Sequence, residues 1–138
     1  MSKKILGVVA GLIVWVMVVL VVGGAMRRSW PAYASVADAM TFTLPMMIAR
    51  LSIGALATLA AGLVTALIVP KSTIAKVMPG VLLLIAFIPQ HIALWDKFPI
   101  WYHLTFLLSL IPLTYIGGAL RSTDQRALRG GLITTINA

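Results

Sequence analysis

An unbroken apolar run from Ile5 to Met26, bracketed by Lys3-Lys4 and Arg27-Arg28, limits what this chain can fold into more than any other feature. A helix needs about 20 mainly apolar residues to cross a hydrocarbon core about 30 Å thick, and this run is long enough. Three more candidate spans follow, at about 46–69, 77–95 and 100–120, the first of them regular only from about Leu51 and preceded by a less regular stretch from Met40 that carries Pro45 and Arg50. Composition points the same way. Of the 138 residues 61% are hydrophobic and 10% charged, against roughly 45–50% and about 25% in a soluble domain. A soluble globule of this size cannot hide that surplus, so lipid must solvate much of it. With no cysteine, a disulfide-stapled fold is excluded.

Short polar connections such as Pro70-Lys71-Ser72-Thr73 and Asp96-Lys97 separate the later spans. Connections of that length force neighbouring helices to run in opposite directions. The expected fold is therefore all-α, an antiparallel up-down bundle of four transmembrane helices over residues 1–120, followed by a short tail at 121–138. Basic residues are retained on the cytoplasmic side. An even number of spans groups Lys3, Lys4, Lys71, Lys76, Arg121, Arg126 and Arg129 on one side, and leaves Arg27, Arg28 and Lys97 on the other. Seven against three places both termini in the cytoplasm, in a multi-pass protein of a bacterial inner membrane. Lys3-Lys4, the apolar stretch and Gly23-Gly24-Ala25 also have the layout of a secretory signal. However, the run is about 18–20 residues where a signal core has about 7–15, which favours a retained span.

The net charge of +8 sits at these membrane-flanking positions. It fits orientation and attraction to anionic lipid at the cytoplasmic face, at about 1 kcal/mol per basic residue. Nucleic-acid binding would need a basic patch on a fold that presents it, and none is visible. In the tail, Ser122-Thr123-Asp124-Gln125 fits a capping box and Gly130-Gly131 a helix stop, which predicts a short surface helix followed by an extended end.

Helices in lipid associate through close contact at small residues. Gly54, Thr58, Gly62 and Ala66 recur every fourth position and share one face, with Ala57, Ala61 and Thr65 beside them. Gly7 and Gly11 give the first span a shorter version. The resulting groove accepts another helix, from the same chain or from a second copy or a partner in a larger membrane complex. The outer half of the first span, Met17 to Val22, is apolar all round and suits a peripheral, lipid-facing helix. Pro89 and Pro112 each remove a donor and should kink the third and fourth spans, with Ser109 placed to relieve the second kink.

Depth carries the functional signal. His91 lies five residues before Asp96, and His103 six residues after Lys97, so both stand about 7–9 Å inward of the external turn. Arg50 belongs to the same layer, with Gln90, Asp38 and the aromatics Trp30, Tyr33, Trp95, Trp101 and Tyr102 near it. Trp and Tyr collect at membrane interfaces in any case. Arg50 is expected to snorkel or to pair with Asp38 or Asp96, and the histidines to be hydrogen-bonded packing residues. Ionisable groups at membrane depth are nonetheless functional candidates. A metal site of His91, His103 and Asp96, and a haem held between two histidines, are both conceivable, but the spacing matches no tight motif. A His/Asp proton relay lacks a carboxylate in mid-span. A pocket for a lipid headgroup or small anion requires only Arg50 and hydrogen-bond donors.

The absences narrow the chemistry. There is no Glu, hence no HExxH zinc-protease motif, and no GxSxG or GxxxxGK[ST] occurs. Small multidrug transporters have four short spans too, but depend on a carboxylate in the first, and Ile5 to Met26 has none. The sequence therefore points to a non-enzymatic membrane protein with neither metal nor cofactor. The expected role is an accessory or scaffold subunit packing through small-residue faces. The alternative is a small homo-oligomeric transporter or channel whose vestibule is the Arg50, His91 and His103 layer.

Overall fold

The computed structural model describes residues 2–136, with side chains through Arg121. Among the described residues there are five helices and no strand: α1 (Lys3–Ser29), α2 (Pro31–Val36), α3 (Leu44–Ile68), α4 (Thr73–Ala93) and α5 (Ile100–Ile136). α1, α3, α4 and the Ile100–Arg121 part of α5 are each long and apolar enough to cross a membrane. The chain is an integral multi-pass membrane protein by that measure.

Local chemistry sets the boundaries. The lead-in before the second span is irregular through Thr43 and helical from Leu44, because Pro45 falls in the first turn of α3, where a missing N–H costs nothing. α4 begins at Thr73 rather than near 77, since the Ser72 hydroxyl accepts from Ala75 N at 3.2 Å and caps it. The short α2 was not foreseen; Trp30 leaves the helical region at φ −125° and Pro31 restarts it. Residues 121–136 also differ from expectation. α5 runs unbroken to Ile136, with neither a new start at Ser122 nor a stop at Gly130-Gly131. Extending a formed helix avoids the cost of nucleating another, and two glycines at about 1 kcal/mol each do not outweigh that.

Pro79, Pro89 and Pro112 all lie inside helices that continue through them. The relief expected of Ser109 takes another form. Its hydroxyl donates to Phe106 O at 2.8 Å, not to the Leu108 carbonyl that Pro112 leaves open.

The small-residue groove of α3 is filled from within the chain. Along α1, Gly7 meets Val69 and Thr65, Gly11 meets Ala61 and Thr65, and the Trp15 indole N–H donates to Thr58 Oγ1 at 3.1 Å. Along α5, Phe106 covers Gly54 and the Thr114 backbone lies against Gly62, while Gly117 lies against the Leu59 carbonyl. Ala57, Thr58, Ala61, Thr65 and Ala66 are fully buried between these two neighbours. Lipid supplies no hydrophobic drive for helix pairing, so van der Waals contact at such close approach does that work. Buried Thr58, Thr65 and Thr114 satisfy their hydroxyls on carbonyls of their own helices, and Thr65 also reaches Gly7 O at 3.1 Å. α4 packs on α5 through Gly80, beside Thr114 and Leu110. α1 stays peripheral, as its outer half suggested, with Ile13, Leu20 and Val21 exposed and nothing near Gly23 or Gly24.

Candidate functional site

α1, α3, α4 and α5 do not close completely at the end that carries the Asp96-Lys97 turn. A cavity of about 270 Å³ remains there, with Arg50, His91, His103 and Gln90 among its lining side chains. Trp15, Val19, Phe87 and Phe106 form its apolar end. Tyr33 reaches it from α2, and Phe98 and Tyr102 from the start of α5 and the turn before it.

Arg50 is positioned by aromatics rather than by an acid. Its Nη1 donates to the Tyr33 hydroxyl at 2.7 Å and its Nε to the Tyr102 hydroxyl at 3.3 Å. The guanidinium carbon stands 4.6 Å from the centre of the Phe42 ring, a cation–π contact. Stacked rings hold this frame: Tyr33 on Phe42, Phe42 on Phe98, and Phe98 on Tyr102. The expected pairing of Arg50 with Asp38 or Asp96 does not occur. Asp38 pairs with Arg27 at 2.6 Å on the surface, and Asp96 is exposed in the turn. Arg27 is the nearer cation to Asp38 because α2 folds back on α1. The two members of that pair are 52% and 88% exposed, and pairs so exposed contribute about 0–1 kcal/mol. Asp38→Asn is therefore expected to leave the melting temperature in detergent within a degree or two of the parent, and a larger drop would show that Asp38 supports the cavity.

His91 and His103, on separate helices, meet with their rings nearly perpendicular, at 81°, and Nδ1 to Nδ1 at 2.7 Å. One ring must donate and the other accept. His103 is 1% exposed and its Nε2 is buried without a partner. A buried orphan N–H is rarer than a buried orphan lone pair. The economical assignment therefore gives His103 the Nδ1 proton and His91 the Nε2 proton. Trp95 stacks on His103 at 4.9 Å and Phe106 on His91 at 4.9 Å, so both rings are clamped. Two imidazole nitrogens on opposite sides of one metal ion stand about 4 Å apart, at about 2.0 Å per bond. At 2.7 Å the pair is instead bonded to itself. Among the described residues no three of His, Asp, Glu and Cys gather at metal-binding distance.

The structure thus unites Arg50, His91, His103 and Gln90 at one cavity and leaves Asp38 and Asp96 outside it. The residues that sequence reasoning undervalued are Tyr33 and Tyr102. They were placed at the right depth as belt aromatics, but a tyrosine that serves an arginine has the same sequence signature as one that serves the headgroups. Phe42, in the irregular lead-in to α3, gave no signal at all. The chain matches no protein-family model, and comparison with curated proteins and with solved structures returns no match.

Proposed function

We propose that this chain is a small bacterial inner-membrane protein that admits an anionic ligand from the external side into the Arg50 cavity, as the vestibule of a transporter or channel. Its four spans form an antiparallel up-down bundle with both termini and the 121–138 tail in the cytoplasm, where basic residues meet anionic lipid. The observation that carries the reading is Arg50, a cation at membrane depth that faces a cavity and is held by two neutral hydroxyls with no carboxylate against it. An unneutralised charge in a low-dielectric site is costly, and an anion that shares the cavity offsets that cost. The function is binding rather than bond-making, for the cavity contains no carboxylate or thiol and its two imidazoles are engaged with each other.

The accessory-subunit reading keeps one supporting observation, the exposed apolar flank of α1. The groove at Gly54 and Gly62 no longer supports it, being occupied by α5.

Trp15 lines the cavity and reports on access to it. In a variant carrying Trp30→Phe, Trp95→Phe and Trp101→Phe, reconstituted in nanodiscs, iodide is expected to quench Trp15 fluorescence several times more efficiently than caesium. Arg50→Gln should bring the two quenchers to parity. Equal quenching by iodide and caesium in the presence of Arg50 would overturn the proposal.

A further inference from the structure

We infer that the occupant is a small organic monocarboxylate, a single negative charge on a compact apolar body. The inference rests on the anion-binding reading above and goes on to name the ligand class.

Charge sets the valence. Arg50 is the one cation among the lining residues, and no acid offsets it. His91 and His103 add none, because an extra proton on the accepting Nδ1 would set two N–H groups head to head across 2.7 Å. A dianion would bring a second charge with no partner into a desolvated site.

Donor geometry sets the headgroup. Tyr102 takes the Nε proton and Tyr33 one of the Nη1 protons, and Nη2 makes no hydrogen bond to the described residues. Its N–H groups are unspent, and a carboxylate accepts from a guanidinium through short, charge-assisted bonds. The Nε2–H assigned to His91 adds a neutral donor on the α4 side of the same cavity.

Shape sets the body. Arg50 lies one turn outside Gly54, which meets Phe106, and two turns outside Thr58, which binds Trp15. The polar end is therefore about 12 Å from the aromatic end, from eight residues at about 1.5 Å each. A volume of about 270 Å³ corresponds to about nine non-hydrogen atoms at the roughly 30 Å³ that each water occupies. A compact body of that size fills this volume, whereas a long acyl chain is not contained by it.

The test is calorimetric titration of the detergent-solubilised full chain with four probes. Benzoate has the charge, the body and the size; benzamide lacks the charge, acetate lacks the body, and phthalate adds a second charge. Benzoate is expected to bind at least tenfold more tightly than each of the other three. Val19→Trp, which fills the cavity from α1 without touching Arg50, should abolish benzoate binding, and Arg50→Gln should weaken it at least tenfold. If Arg50→Gln fails to fold, the probe series on the parent and Val19→Trp decide the matter. Benzamide binding as tightly as benzoate would overturn the inference. Phthalate or acetate matching benzoate, with Arg50 required, would overturn the ligand class and leave the anion-binding reading standing. Binding of none of the three anions, together with equal iodide and caesium quenching of Trp15, would overturn both.

Discussion

Gly62→Val is expected to leave almost no folded protein, and Gly62→Ala to lower stability by about 1–3 kcal/mol or more. A Cβ at this position would overlap the Thr114 carbonyl oxygen and stand 2.7 Å from its carbon. The obstacle is backbone, which cannot swing aside as a side chain does, so α3 and α5 must separate. Overpacking of a tight core typically costs about 1–3 kcal/mol. Here the loss spreads along the whole contact, because lipid gives the separated faces no penalty for being exposed and packing alone holds them. Gly117, whose Cβ would overlap the Leu59 carbonyl, belongs to the same interface and should respond alike. Gly23 and Gly24 are the controls, with nothing within 4 Å, and alanine there should be neutral or slightly stabilising. Unfolding by SDS titration in mixed micelles, followed by circular dichroism, measures all four. Gly62→Ala as stable as Gly23→Ala would mean that α3 and α5 are not in backbone contact.

That interface also marks how far the sequence could be followed. The four-residue spacing of Gly54, Thr58, Gly62 and Ala66 identifies a face made for close approach, since only small side chains let two backbones meet. It contains nothing about which helix arrives, because a smooth surface is complementary to any other smooth surface. The answer lies in tertiary register, with Gly7, Gly11 and Trp15 of α1 on one flank and Phe106 and Thr114 of α5 on the other. The candidate site divides in the same way. Depth could be counted from Asp96-Lys97 at a fixed rise per residue, and it put His91 and His103 at one level, where they are found bonded. Counting gives height but not azimuth. Arg50 at the right height was therefore assigned to acids that face elsewhere, while its true partners Tyr33 and Tyr102 were indistinguishable from interfacial aromatics. The continuous α5 has a related cause. A capping box caps only where the chain enters a helix from outside, and Leu120 and Arg121 are already helical.

The histidine pair yields the second large effect, a strong non-additivity between His91→Phe and His103→Phe. Either substitution alone removes one partner of a buried hydrogen bond and strands the other, which costs about 1–3 kcal/mol. The two strandings are unequal. His103 is 1% exposed, already has an orphaned Nε2, and is covered by Trp95, so losing His91 leaves a ring with neither nitrogen bonded. Both rings line the cavity, but His91 is the more exposed, at 9%, and only His103 has a buried orphan nitrogen, so His91 can turn to water there when His103 is lost. His91→Phe should accordingly be the more damaging single change, by about 1 kcal/mol. The double variant removes both polar groups and keeps two rings in the aromatic stack with Phe87, Phe106 and Trp95. It should be less destabilised than the sum of the singles by about 1–2 kcal/mol, within the range seen for directly bonded pairs. SDS titration of the parent, both singles and the double closes the cycle. Additivity to within about 0.5 kcal/mol would mean that the Nδ1 atoms are not bonded in the membrane and that each imidazole has found its own partner. In that case the neutral pair, and the single-cation character of the cavity that depends on it, would both have to be abandoned.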